Sequence, residues 1–172
     1  MQRRDALLLA GVGLAAAAAG VLVGPLMLQS QTGAAELHAA SYPDISGAMR
    51  PIDGWKGLVL VCNFWATWCE PCREEVPLLL EIRQKYRERG LEVVGIGIDN
   101  AAKIRQFTSE FMISYPVLVG DSGGIELMRK LGNREGGLPF TVVLDRHGAI
   151  AYRRLGLLKR GDLQAALEPL VR

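Results

Sequence analysis

The first 28 residues hold the longest apolar stretch of the chain. Positions 6–28 run for 23 residues without a charge, and two arginines stand just ahead of them. A helix rises ~1.5 Å per residue and crosses the hydrocarbon core of a membrane with about 20 residues, so the stretch is long enough to span one. It also lacks the polar face that a helix packed against the core of a soluble domain presents to water. The pattern therefore predicts a signal anchor or transmembrane helix over residues 1–28.

The two arginines, Arg3 and Arg4, favour a cytoplasmic N-terminus, because flanking positive charge stays on the cytoplasmic side. Everything after Leu28 is then exported. We expect a protein that is N-terminally anchored on the periplasmic side of the cytoplasmic membrane. Small residues around 32–40 leave an alternative open, in which the segment is cleaved and a soluble periplasmic protein is released.

A polar connector over residues 29–50 leads into an alternation of strands and helices. Apolar runs predict buried strands, and apolar positions at helical spacing predict amphipathic helices. The predicted strands lie at 58–64, 91–98, 116–119, 140–144 and 149–154, and the predicted helices at 71–89, after Asn100, around 125–131 and around 163–170. The last two strands flank a turn at 145–148 that is typical of a hairpin. This order implies one α/β domain over residues 51–172, a mixed sheet flanked by helices.

Composition narrows the function classes. The 172 residues are 49% hydrophobic, so the domain can fold around an apolar core. Three cysteines are too few for a disulfide-stapled scaffold or a zinc site with four Cys ligands. With 20 basic and 18 acidic residues spread along the chain, the formal net charge of +2 gives no concentrated positive field. We therefore exclude nucleic-acid binding.

The candidate chemistry lies where the first predicted strand meets the first predicted helix. Cys69 and Cys72 stand three positions apart at that junction, with Pro71 between them. The N-terminus of a helix carries partial positive charge and free N–H groups, which favour the thiolate of Cys69. Cys72 lies one turn further on, close enough to form a disulfide with Cys69.

For each other common use of a C-x-x-C pair, the sequence lacks a required residue. Haem attachment requires His after the second Cys, where Arg73 stands. Zinc requires two more ligands, and Cys62, His38 and His147 have no ligand-like spacing. We therefore expect no metal site and no cofactor. A purely structural disulfide remains open, although so short a loop restrains the unfolded chain little.

Three short motifs resemble those of a known family: FWATWCEPC at 64–72 with Glu75 and Pro77 behind it, GLPF at 137–140, and DRHG at 145–148. They are similar to the TlpA/ResA-like branch of the thioredoxin superfamily, over roughly residues 51–172. The resemblance implies a thioredoxin-like fold and a thiol–disulfide oxidoreductase. Most members are membrane-anchored or exported, and many are reductants in cytochrome c maturation.

The same resemblance implies a role for each residue of the motif. Cys69 is the nucleophile, Cys72 the resolving thiol, and Pro139 a cis-proline that faces them. The backbone of Leu138 is then free to bind an extended substrate. Independently of the resemblance, Trp68 and Trp65 are candidates for an apolar rim that substrates contact; the alternative is that they only pack against the fold.

Glu75, three residues after Cys72, matches an acidic residue that this branch keeps beside its thiols. Ordinary thioredoxins place an Asp beneath the disulfide, where this chain has Asn63. Since Asn takes no proton, Glu75 or water must relay protons; the alternative is that Glu75 is a solvated carboxylate on the helix surface. Cys62 lies within the buried strand and is expected to be inert, because burial raises the pKa of a thiol.

The leading hypothesis is an exported thiol–disulfide oxidoreductase that reduces disulfides in partner proteins, with apocytochrome c as a candidate. Glu70 and Glu75 favour this direction, because carboxylates beside the pair oppose the thiolate and make the couple more reducing. We expect disulfide-bearing exported proteins as substrates, a membrane electron donor, a membrane tether, and neither nucleic acid nor metal as a partner.

Three alternatives stay open. A dithiol oxidant would use the same cysteines in the opposite direction. A redoxin-type thiol peroxidase would need Thr or Ser three residues before Cys69, where Ala66 stands, although Thr67 is adjacent. A copper-delivering module of this fold would need a C-x-x-x-C pair and a partner His, and the sequence has neither at this site.

Overall fold

The computed structural model describes residues 33–172. Its strands are β1 (Ser41–Pro43), β2 (Met49–Pro51), β3 (Val59–Trp65), β4 (Leu91–Gly97), β5 (Val117–Val119), β6 (Phe140–Leu144) and β7 (Ile150–Leu155). Its helices are α1 (residues 33–39), α2 (Glu70–Tyr86), α3 (Ala101–Glu110), α4 (Asp121–Lys130) and α5 (Arg160–Leu167). The predicted anchor over residues 1–28 lies outside the described residues. Within residues 33–172 no helix is long and apolar enough to cross a membrane.

Five strands form one mixed sheet in the order β5-β4-β3-β6-β7. The central strand β3 runs parallel to β4 and antiparallel to β6. β5 is parallel to β4, and β7 is antiparallel to β6. All seven residues of β3 are buried, which explains the continuous apolar run in the sequence. The predicted mixed sheet flanked by helices is confirmed.

Helices cover both faces of this sheet. The crossovers β3-α2-β4 and β4-α3-β5 step in the same direction, and right-handed crossovers then place α2 and α3 on one face. Gly97 in β4 makes room there, because a Cβ at this position would collide with Ile104 of α3. On the opposite face, Gly124 of α4 packs just as closely on Ile98.

The helix ends follow the predicted signals. Asn100 caps α3, its Oδ1 accepting a hydrogen bond from the Lys103 backbone N–H at 3.0 Å. After α2, a 3₁₀ turn over Arg87–Arg89 leads to Gly90, which ends the helical segment with a left-handed φ of 77°. The predicted bounds of this helix, 71–89, thus include the 3₁₀ turn.

The segment that the sequence predicts as a connector contains packed structure from residue 33 onward. Leu37 of α1 is fully buried in the core. β1 and β2 pair as a hairpin, and Asp44 bridges to Leu118 of β5. His38 is half-buried, with its Nε2 3.2 Å from the Gly148 carbonyl oxygen. Polar composition concealed this packing, because only a few apolar side chains here reach the core.

Candidate active site

Cys69 and Cys72 form a disulfide at the carboxyl end of β3, with Sγ–Sγ 2.04 Å and Cα–Cα 5.3 Å. Cys69 is the N-cap residue of α2, and Cys72 lies in the first turn. The two residues are 5% and 3% exposed. Pro71 lies in the first helical turn, where an N–H would lack a partner in any case. The free N–H groups of this turn and the helix dipole favour a thiolate at this position.

The loop between β3 and α2 is fixed from two sides. The Ile98 N–H, at the end of the neighbouring strand, donates to the Trp65 carbonyl oxygen at 2.7 Å. Arg73 Nη2 donates to the Thr67 carbonyl oxygen at 2.9 Å, and the Thr67 hydroxyl donates to the Asp99 carboxylate. Sequence reasoning missed Asp99, although its place just after a strand parallel to β3 marks the same edge of the sheet. Since the Thr67 hydroxyl donates its proton to Asp99, that proton is not available for a peroxide bound at Cys69.

Glu75 is buried on α2, one helical turn after Cys72, with 1% of its surface exposed. Its Oε1 accepts a hydrogen bond from the Leu158 N–H at 2.5 Å, and its Oε2 accepts one from Asn63 Nδ2 at 3.0 Å. Burial raises the pKa of Glu75 to about 7, against the lowering effects of these hydrogen bonds and of the Arg154 charge. The interpretation as a solvated carboxylate is therefore wrong.

Asn63 links Glu75 to the neighbouring strand. Its Nδ2 also donates to Thr141 Oγ1 at 2.9 Å, so both amide protons have partners. The amide therefore holds the carboxylate in place from below but takes no proton itself. Thr141 was not anticipated from the sequence, because a lone Thr in a predicted strand gives no signal of a polar role.

The Leu138–Pro139 peptide is cis, as predicted. Phe140, the next residue, pairs with Phe64 of β3, so this peptide lies at the same edge of the sheet as the cysteines. Asn133 holds the preceding loop through two hydrogen bonds with the backbone of Gly137, at 2.8 and 3.2 Å.

The two tryptophans of the motif have different environments. The Trp68 side chain is 68% exposed. Trp65 is buried and stacks on Phe107 of α3, with ring centroids 4.6 Å apart. The expectation that Trp65 forms part of the rim is wrong, because its position at the end of a doubly buried strand directs it into the core. Leu155 and Leu157, both exposed, were not anticipated.

Two further groups bear on the chemistry. Cys62 is fully buried in β3, and burial raises its pKa to about 12, which agrees with the predicted inert thiol. Glu70 is exposed and lies 3.4 Å from Arg73, so a cation and solvent both weaken its effect on the cysteines. Within residues 33–172, no cluster of three His, Cys, Asp or Glu side chains could hold a metal ion.

A dithiol pair at a helix N-terminus, on a mixed sheet of this order, defines a thiol–disulfide oxidoreductase of thioredoxin-like fold. Comparison with known proteins agrees: the model of the Redoxin family matches residues 49–167. The chain belongs to the Redoxin family.

Named relatives agree with this class, and a solved structure agrees with the fold. The thiol-disulfide oxidoreductase ResA of Bacillus thuringiensis subsp. konkukian is 28% identical over 128 residues, which cover 74% of this chain and 72% of the relative. Thioredoxin-like protein YneN of Bacillus subtilis is 29% identical over 132 residues, 74% of each chain. A putative thiol:disulfide interchange protein DsbE from Chlorobium tepidum superposes with a TM-score of 0.70 at 22% identity, covering 77% of this chain and 93% of that one.

Proposed function

We propose that this oxidoreductase works as an exported reductant, in which the Cys69–Cys72 dithiol reduces disulfides of partner proteins. The observation that supports it most is the buried Glu75, one turn of α2 after Cys72. A carboxyl group with a pKa of about 7 is partly protonated at neutral pH and can both take and return a proton. Glu75 is buried, has no cation within ion-pair distance among residues 33–172, and lies one helical turn after Cys72, which fits a site of proton transfer better than a structural ion pair.

In the proposed reaction the Cys69 thiolate attacks one sulfur of the substrate disulfide. The substrate S–S bond breaks, a Cys69–substrate disulfide forms, and the first substrate thiolate leaves. Cys72 then attacks the Cys69 sulfur while its proton passes to Glu75, and the second substrate thiolate leaves. Two electrons have moved from the dithiol to the substrate, and Cys69 and Cys72 are joined as a disulfide.

Substrate contact is assigned to the groups around the disulfide. The exposed Trp68 ring provides an apolar surface next to Cys69. The backbone of Leu138, before Pro139, is proposed to bind an extended segment of the substrate by main-chain hydrogen bonds. These contacts would hold the target disulfide against the nucleophile.

The direction of electron flow rests on Glu75 rather than on Glu70. A carboxylate at Glu75 opposes a thiolate at the neighbouring cysteines, because both groups are negative and both are shielded from solvent. A less stabilised thiolate means a less stabilised dithiol form, and therefore a more reducing couple. The contribution first expected from Glu70 is weaker, since that side chain is exposed beside Arg73.

The proposed location is the periplasmic side of the cytoplasmic membrane, tethered by residues 1–28. Its support is the uncharged stretch preceded by Arg3 and Arg4. An oxidising compartment would convert the dithiol to the disulfide, so a membrane electron donor is required to recharge it. Disulfide-bearing exported proteins, with apocytochrome c among the candidates, are the proposed substrates.

Reduction of insulin disulfides by the full chain, recharged with dithiothreitol, tests the activity. We expect C69A and C72A to lose it and C62A, which changes only the inert thiol, to keep it. C72A should also trap exported partners as mixed disulfides that dithiothreitol releases. Activity that survives in C69A, or consumption of peroxide without disulfide reduction, would contradict the proposal.

A further inference from the structure

Polar side chains run across three neighbouring strands under the active-site helix. The strand register pairs Asn63 of β3 with Thr141 of β6, and Thr141 with Arg154 of β7. Directly paired residues point to the same face of a sheet, here the face that carries Glu75 of α2. Asn63 and Thr141 are hydrogen-bonded to each other, and Asn63 is bonded to Glu75. Arg154 is thus the outer member of a row that begins at Glu75.

Within residues 33–172, the guanidinium of Arg154 is only partly satisfied. Its Nε is buried and has no hydrogen-bond partner among residues 33–172, and within the same residues no carboxylate lies within 4.0 Å of its guanidinium. A partly buried charge without a close counterion costs free energy. The neighbouring Arg153 differs, because it is exposed and points to the opposite face, toward Gly33. Packing alone does not explain why a cation occupies position 154.

We infer that Arg154 is a positioning residue for the thiol reaction, whose guanidinium electrostatically supports the carboxylate form of Glu75 across Thr141 and Asn63. The inference rests on the proposed proton relay by Glu75. In this role Arg154 acts on the thiols only through Glu75. Its charge lowers the pKa of Glu75 and so works against the effect of burial.

The other groups around Glu75 do not supply this charge. Asn63, Thr141 and the Leu158 N–H are neutral, and Cys72 lies one turn earlier on α2. Tyr115 and Tyr152 also lie within electrostatic range of Glu75, but burial raises the pKa of both phenols, so they stay neutral at working pH. Asp162 of α5 acts on Tyr152 and would only add negative charge.

Without Arg154, Glu75 would hold its proton to a higher pH and would no longer accept one from Cys72 near neutrality. Two unit charges separated by several ångströms at a partly buried site interact strongly enough to shift a pKa by about one unit. The relay would therefore fail first at neutral pH and recover in alkaline solution.

The test is a titration of Glu75 in the oxidised full chain, purified in mild detergent with ¹³C-labelled glutamate and followed by NMR. The resonance is assigned by its loss in E75Q. We expect R154M to raise the midpoint by about one pH unit. R154K keeps the charge and should titrate near wild type, and R153M is the matched control that should leave the midpoint unchanged. Circular dichroism checks that each variant is folded.

A second measurement uses the reduced protein. A purely structural role of Arg154 would leave its result unchanged. R154M should displace the pH profile of Cys69 alkylation by iodoacetamide, whereas adding R154M to E75Q should cause no further displacement. An unchanged Glu75 midpoint in R154M, or an equal shift in R153M, would overturn the inference about Arg154. The proposed reductase function would not be affected by that result. A wild-type Glu75 that titrates at its ordinary pKa would overturn the proton relay itself, and the inference with it.

Discussion

Among single residues, Glu75 joins two opposed requirements, burial in the core and a negative charge. Burial raises its pKa to about 7, whereas a glutamate in an unfolded chain titrates at about 4.3. The folded state therefore binds the proton more tightly, and its stability is lost as pH rises through the window between these values. The site thus keeps its acid–base function at a cost in stability above neutral pH.

This sign gives a prediction for the oxidised full chain. Between pH 5 and pH 8, the free energy of unfolding of wild type should fall by roughly 2–3 kcal/mol relative to that of E75Q, which has no proton to lose. Urea unfolding at a series of pH values measures the difference. Parallel pH profiles for the two proteins would show that Glu75 titrates normally.

A second prediction concerns the two thiols after reduction. Cys69 is the N-cap residue of α2 and Cys72 lies within the first turn, so the helix dipole favours the Cys69 thiolate more directly. Iodoacetamide should label Cys69 first, Cys72 more slowly, and the buried Cys62 least, as located by mass spectrometry at several pH values. Faster labelling of Cys72 than of Cys69 would reverse their assigned roles.

At the level of elements, α1 is part of the folded domain and not a free connector. Leu37 is fully buried, whereas Ala39 on the same helix is exposed. L37A should lower the free energy of unfolding by about 2–4 kcal/mol through lost burial and the cavity left behind, and A39S should change it little. Denaturant unfolding of the full chain compares them. A negligible effect of L37A would mean that residues 33–39 contribute nothing to the fold.

Elements with strong local signals were predictable from the sequence, and long-range packing was not. β3 and α2 follow from an apolar run and from helical spacing after a Cys-Glu-Pro-Cys start. α1 and the β1–β2 hairpin were missed, because their stability comes from contacts with residues more than 70 positions away, such as Asp44 with Leu118.

The candidate site shows the same division. The cysteines, Glu75 and Pro139 stand in or near recognisable motifs, and the structure places them at one end of β3. Asp99 and Thr141 reach the site only because neighbouring strands bring them there. The position of Trp65 was misjudged, because the predicted strand ends at residue 64. β3 extends through Trp65 and buries its side chain.

At the scale of the whole molecule, an exported reductant must have its domain outside the cytoplasm. Alkaline phosphatase fused after Arg172 should be active, because that reporter folds only where its disulfides form. Removal of residues 1–28 should abolish the activity and serves as the control. An inactive fusion of the full chain would reject export, and an active fusion in the soluble periplasmic fraction would show cleavage in place of a tether.

The midpoint potential of the Cys69–Cys72 couple decides whether the protein is a reductant or an oxidant. The full chain is equilibrated at pH 7 with glutathione and dithiothreitol buffers of known potential, and its dithiol fraction is counted after alkylation. A reductant with a buried Glu75 beside its thiols should have a potential below roughly −200 mV. A value near the strongly oxidising end, about −120 mV, would contradict the account and make the protein a donor of disulfides.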